Sequence, residues 1–437
     1  MTLFHAPLTA IESFTADYRD LFKDARLYKG FQATITGILG SGTTRIRQIA
    51  RAAPQTGCVA HSERRIRRLV HNHNQRADLN VEAITKKITA QGAKCLAREA
   101  EVKVILDGSD LRKPHSTSLE FLSTVRALNG DLIPGYPTLN AIGIGGDGLQ
   151  ALLYHRTFSP LEPEFKSERE EVRTAIEAIT AALRAVNVGR ITWILDRGFD
   201  DAKVIGWILA TGSCFVIRAA HNRKIVESFK GKPKKLFETV QAQPVLGTLE
   251  MQRPIVTDGK VRKRKTLGTT RSLKTWLLEP DLMVSAVKLE FQGVRDKNPD
   301  ERGWVLLTNL PVSTADEAQR VVALYALRWA IEEVFAWTKT ALEWEAARVL
   351  AFTAFKRLVA FAWVAAAFVF NLGVSVEHRV VQHLALLGGW VPRVDERPGR
   401  RVLCLGLARV LNAILVEGVS SRMRAGMGVL DEANRLI

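Results

Sequence analysis

Cysteine is scarce in this 437-residue chain. Its four copies, Cys58, Cys95, Cys214 and Cys404, form no CxxC pair and have no histidine at zinc spacing. That excludes a disulfide framework and a structural zinc module, and it leads us to expect a reducing, cytoplasmic setting. No internal repeat or low-complexity tract is visible. The first residues, Met-Thr-Leu-Phe-His-Ala-Pro, lack the basic-then-apolar pattern of a signal peptide. One run, Leu358–Phe370, is uninterrupted apolar sequence. It falls short of the ~20 residues that cross a bilayer, so a buried core helix is expected and no membrane partner. Acidic residues are in deficit: 45 Asp and Glu face 62 Lys and Arg, a formal charge of +17. Such a surplus favours a polyanionic partner, because each cation that meets a phosphate releases a condensed counterion. The alternative is a basic surface kept for solubility alone.

What is present is an ordinary globular composition, 24% charged and 47% hydrophobic, long enough for two or three domains. Residues 1–100 read as helical and basic. Phe31–Leu39 is amphipathic, Gly40-Ser41-Gly42 breaks it, and Thr43 or Thr44 is placed to cap a helix through Arg45–Arg51. Helix, glycine turn and basic helix is the order of a helix-turn-helix. A second basic helix, Ser62–Val70, carries Arg64, Arg65, Arg67 and Arg68 around Ile66, Leu69 and Val70. Four arginines with one acidic neighbour point to phosphate contact more than to a solvated face. From residue 101 the pattern turns to strands: Val102–Asp107, Leu139–Ile144, Leu149–Arg156, Ile191–Asp196 and Cys214–Arg218, with helices at Glu168–Val186 and Asp201–Ala210. Residues 219–303 are basic and turn-rich, and they read as an inserted β-rich subdomain. Lys260, Arg262, Lys263, Arg264 and Lys265 form a DNA-facing rim on it. The buried-strand pattern resumes at Trp304. Asp316–Glu345 reads as one long helix, and 349–437 as a C-terminal helical region.

Three acids carry the chemistry. Asp107 and Asp196 each close an apolar, β-branched run, and Glu332 lies on the long helix. Tyr325, Arg328, Glu332 and Lys339 sit at offsets of 0, 3, 7 and 14. At about 100° per residue they project near 0°, 300°, 340° and 320°, one narrow face. Carboxylates at strand ends opposite a helix carboxylate suit two Mg²⁺ ions, with Mn²⁺ as a substitute. Asp107 is the expected bridge between them. A lone Asp at a strand end is more often a turn or cap residue, and Asp110, Asp131, Asp147, Asp200 and Asp201 are read that way. Glu332 could equally be a surface acid paired with Arg328. Trp304, Trp329 and Trp337 read first as core residues.

The pattern Tyr-x2-Arg-x3-Glu-x6-Lys, met by Tyr325, Arg328, Glu332 and Lys339, resembles the signature of bacterial cut-and-paste DDE transposases of the insertion-sequence-4 type. Asp196-Arg-Gly-Phe-Asp200 looks like that family's second-aspartate motif, Phe215–Arg218 like the strand after it, and Trp304–Thr308 like the strand that re-enters the core. The resemblance spans about residues 100–345. It implies a ribonuclease-H-like mixed sheet with flanking helices, interrupted by the insertion and framed by helical terminal domains. The expected divisions are 1–100, 101–218, 219–303, 304–348 and 349–437. It further implies Asp107, Asp196 and Glu332 as the metal triad, with Tyr325, Arg328 and Lys339 gripping the DNA end; Arg218 is a further expected DNA-binding residue. Trp304, 21 residues before Tyr325, would match a Trp that stacks on a flipped base in relatives. The implied course is cleavage at transposon ends, a hairpin, and strand transfer by a homodimer holding two ends on the bacterial nucleoid. The N-terminal helices would read terminal inverted repeats and the C-terminal helices would pair the protomers. Alternatives are a nuclease or resolvase on the same core, and an inactive DNA-binding relative.

Overall fold

Strand alternation sorts the chain into two cores, one on each face of a single sheet. In β1 (Glu101–Arg112), Val102, Val104 and Leu106 enter one core, while Ile105 and Leu111 enter the other. The computed structural model describes residues 5–435, except 55–57, 73–78, 128–129, 228–230, 258–259, 279–280, 294–301 and 392–396. Side chains of 253–263, 375, 419 and 421–435 also lie outside the description.

Among the described residues the sheet has twelve strands. β1 pairs antiparallel with β3 (Leu132–Ile144), which pairs antiparallel with β2 (Ser123–Arg126) and β4 (Gln150–Thr157). On its other edge β1 runs parallel to β5 (Arg190–Leu195), and β5 parallel to β6 (Cys214–Arg218). Three antiparallel strands followed by two parallel ones, with helices on both faces, make this the expected ribonuclease-H-like α/β fold. The turn between β3 and β4 holds Asp147 and Gly148 at positive φ, as the Gly-Gly-Asp-Gly run predicts.

The insertion does not form a separate sheet. β7 (Lys224–Val226), β8 (Lys234–Lys235), β9 (Gly247–Thr257), β10 (Lys260–Leu277) and β11 (Leu282–Phe291) continue the same one. β12 (Gly303–Thr308) joins them to β6. Turn-rich composition concealed this, because edge extension leaves no sequence break.

The helices divide by face. On one lie α6 (Glu168–Ala185) and α7 (Ala202–Ala210), whose Ile176, Ile179, Ile205 and Ile208 pack on the sheet. Ser167 caps α6 through the Glu170 N–H at 3.2 Å, and Asp201 caps α7, the role read for it. On the other face lie the helices of both chain ends. These are α1 (Ala6–Ala16), α2 (Ala25–Ser41), α3 (Ile46–Ala52), α4 (Val59–His71) and α5 (Val81–Cys95), with, after the short α8 (Leu236–Gln241) of the insertion, α9 (Ala315–Ala326), α10 (Trp329–Ala341), α11 (Phe352–Ser375), α12 (His378–Leu387) and α13 (Arg400–Arg435). One continuous apolar core joins α1–α5 to α9–α13, so the terminal regions are packed together rather than strung apart. α5 lies close on β4: a Cβ on Gly92 would sit 2.0 Å from the Leu152 carbonyl oxygen. Phe352–Val374 is, by length and composition, long enough to cross a membrane, longer than its uninterrupted apolar stretch suggests. Its most apolar window is 78% buried inside the protein.

Three local expectations change. The single helix over 316–345 is two helices, α9 and α10. At Leu327 and Arg328 the backbone hydrogen bonds shift to i→i−3, with the Leu327 N–H on Leu324, Arg328 on Tyr325, and Ile331 on Arg328. Thr43 and Thr44 do not cap α3; Arg45 holds that position without a side-chain cap. Asp107 does not end β1, which runs five residues further and carries Asp110 on a strand rather than in a turn.

Beneath the sheet's functional face lies a buried histidine. His155 Nδ1 donates to Asn140 Oδ1 at 2.7 Å and Nε2 accepts from the Thr157 hydroxyl at 3.1 Å. Both ring nitrogens are spent in one neutral tautomer. Burial, with Arg156 next, drives its pKa well below the ordinary value. An unfolded chain would take up this proton as pH falls below about 6.5 while the folded one would not. Stability from this group is therefore present above that pH and lost below it, by up to about 1.4 kcal/mol per unit. His155→Gln should flatten that acid slope, as read from denaturant midpoints between pH 7.5 and 5.5.

Candidate active site

Register places the acids. Leu106 pairs with Leu195, and Leu195 with Ile217, across the three parallel strands. The next residues, Asp107, Asp196 and Arg218, therefore form one row. Their alternation is opposite to Leu106, Leu195 and Ile217, so all three face the core beneath α9 and α10. β5 ends at Leu195 while β1 continues. The row opens at the carboxyl ends of parallel strands, where α/β sheets commonly bind ligands.

The α9–α10 junction supplies the rest. Tyr325 is 2% exposed, and its hydroxyl donates to Asp196 Oδ1 at 2.9 Å. Arg328 donates from Nη1 to Asp107 Oδ2 at 3.2 Å and pairs through Nη2 with Glu332 Oε1 at 2.8 Å. One guanidinium thus bridges two of the acids. The Gly108 N–H caps Asp107 Oδ1 at 2.9 Å. Burial pushes Asp107 up to about 7; Arg328 opposes this, while Asp196 and Glu332 add to it. Burial works against the charge on Arg328, but Asp196, Tyr325, Glu332 and Asp107 outweigh it and hold the cation firmly. Burial and the neighbouring Asp196 raise Tyr325, keeping its phenol a donor. These mutual effects put the three acids in one electrostatic neighbourhood.

The donor set fits a divalent metal in kind: carboxylate oxygens are the ligands Mg²⁺ takes. As the side chains stand, no three acids, histidines or cysteines among the described residues close on one point. Arg328 holds Asp107 and Glu332 as their counter-charge.

The remaining expected contacts separate. Lys339 sits further along α10, with Nζ 3.4 Å from Glu345 Oε1. Trp304 is 6% exposed, its ring edge-on to Tyr325 at 4.9 Å and to Phe291 at 5.4 Å. In this structure it braces Tyr325 and presents no open face to a base. In α4, Arg64 and Arg68 are exposed, Arg67 is paired with Glu63 at 2.8 Å, and Arg65 is half-buried along α2 beside Gly30. Ile66, Leu69 and Val70 anchor the helix, as its spacing predicts. Arg264 is exposed on β10; the Lys263 side chain lies outside the described ones, its backbone pairing with Pro254.

Asp200, read from the sequence as a turn or cap residue, has a larger part. It is buried, accepts from the Ala220 and His221 N–H groups at 2.8 and 3.0 Å, and pairs with Arg223 at 2.6 Å. It locks the turn after Asp196 to the chain leaving Arg218, and its place four residues past Asp196 was the available signal. The family model for the transposase DDE domain matches residues 99–369 of the chain. That match covers well over half of the 437 residues and all three acids, on the fold and in the cleft just described. The protein belongs to the DDE transposase family.

Proposed function

We propose that the protein is a cut-and-paste transposase of the insertion-sequence-4 type, with Asp107, Asp196 and Glu332 as its metal ligands. The observation that supports this most is the row Asp107–Asp196–Arg218 facing Tyr325, Arg328 and Glu332. Mg²⁺ ions, or Mn²⁺ in their place, supply Lewis acidity to a phosphodiester and to its attacking oxygen when bound. The chain's own residues do the rest. The Tyr325 hydroxyl orients Asp196, and the Gly108 N–H orients Asp107. Arg328 balances the acids until metal and DNA arrive, then turns to the DNA. Arg218, in the row with the two aspartates, is a cation for the strand being cut, Lys339 is one further along α10, and Trp304 keeps Tyr325 upright. Exposed Arg64 and Arg68, with exposed Arg264 of β10, are further cations for double-stranded DNA.

Hydrolysis frees a 3′-hydroxyl at the element end. In strand transfer that oxygen forms a new bond to a target phosphorus, and the target's own 3′-oxygen leaves with the proton. The working form is a homodimer on two ends. A plasmid carrying the coding region with its native flanks provides the test. Purified protein with Mg²⁺ should cut at both flanks and join the freed ends to a second plasmid. Cutting without joining would favour a nuclease or resolvase on the same core, and binding without cutting an inactive relative.

A further inference from the structure

The turn after α10 meets three parts of the molecule within five residues. Glu343 opens it with φ +41°, a left-handed backbone that a non-glycine residue rarely holds. Its side chain accepts from the buried Thr43 hydroxyl at 2.7 Å, and its carbonyl from the buried Thr44 hydroxyl at 2.8 Å. Gly42, also left-handed, lies against the Ala341 carbonyl, where a Cβ would come within 3.0 Å. Arg45 Nε adds a half-exposed ion pair at 3.7 Å, a minor contribution. Two residues on, Glu345 holds Lys339 at 3.4 Å and accepts the Arg112 N–H of β1 at 3.2 Å. Lys113, buried, donates to the carbonyls of Glu345 and Ala347. The α2–α3 turn, the catalytic helix α10 and the strand of Asp107 are thus tied at one point.

We infer that Glu343 is a positioning residue that sets the register between DNA held on α3 and α4 and the acids that cut it. Backbone strain is retained here because the carboxylate and carbonyl must both face the α2–α3 turn. The Thr44 hydroxyl is committed to this joint, and the Thr43 hydroxyl donates to it while its oxygen accepts the Arg45 N–H at 3.3 Å at the start of α3. The inference rests on the transposase reading above.

Glu343→Gly removes the side chain while suiting the left-handed backbone, so the fold should survive. Three quantities are measured on the native-flank plasmid: DNA affinity, cleavage rate at saturating protein, and cut position by primer extension. The expected result is affinity within about twofold of wild type, cleavage slowed about tenfold or more, and cuts spread over several nucleotides, a loss in kcat rather than in binding. Glu343→Gln still accepts from Thr43 and should recover most of the rate and the single cut position. Thr43→Val breaks the same bond from the other side and should act alike, with the double variant no worse than Glu343→Gly alone. If Glu343→Gly does not fold, Thr43→Val decides the question. Wild-type rate and cut position in the folded variants would overturn the inference, as would a loss confined to binding. Failure of the wild-type protein to cut would instead overturn the transposase reading.

Discussion

Asp107→Asn should abolish DNA cleavage and joining while leaving DNA binding intact. The substitution keeps size and the contact with Arg328 but removes the charge at the β1 end of the row, where β1 continues beyond β5 and the cleft opens. On the proposed assignment, loss of one metal-holding carboxylate should lower cleavage about a thousandfold or more, roughly 4 kcal/mol in the barrier. DNA affinity, carried by cations elsewhere, should stay within about threefold, measured by filter binding at fixed salt. Nicking that survives in Asp107→Asn would remove this residue from the chemistry. Asp196→Asn should behave alike, and Glu332→Gln likewise with its effect on the α10 side of the cleft.

Arg328→Met should be the most damaging single change to the metal-free protein. Its side chain is 9% exposed, and its guanidinium contacts Asp107 and Glu332 directly. Without it three acids face one another in a partly dry cleft. Removing one partner from a buried ion cluster costs about 3–5 kcal/mol, because the others keep their desolvation cost without compensation. The expected result is a lower denaturation midpoint in EDTA and a larger recovery with Ca²⁺ than wild type shows, since a ligand that binds only the folded state stabilises it by mass action. Wild type should gain less, as Ca²⁺ there competes with a resident cation. Equal gains in both would mean that Arg328 does not share the metal's place.

Much of the fold was legible because apolar alternation and turn chemistry agreed. Cys214–Arg218 falls as a strand where its Phe-Val-Ile run places it. The acids were legible as types at strand ends, but their adjacency was not. Only the pairings Leu106–Leu195 and Leu195–Ile217 bring Asp107, Asp196 and Arg218 into one row, and register is a long-range property that one strand's sequence does not carry. Tyr325, Arg328, Glu332 and Lys339 share one face only on an unbroken helix, and the segment is two helices. The shift to i→i−3 bonds at Leu327–Arg328 sends Tyr325 to Asp196 and Arg328 to Asp107, while Lys339 reaches Glu345 instead. The roles of buried Asp200 and exposed Glu343 were not legible, because an acid paired across distant segments looks, in sequence, like any turn acid.

The most direct measurement is anomalous diffraction at the manganese edge from crystals grown with Mn²⁺ and a duplex of the native flank. The account predicts manganese peaks about 2.1 Å from carboxylate oxygens of Asp107, Asp196 and Glu332, with Arg328 withdrawn from Asp107. Manganese bound only elsewhere, with Arg328 still joining Asp107 to Glu332, would contradict it.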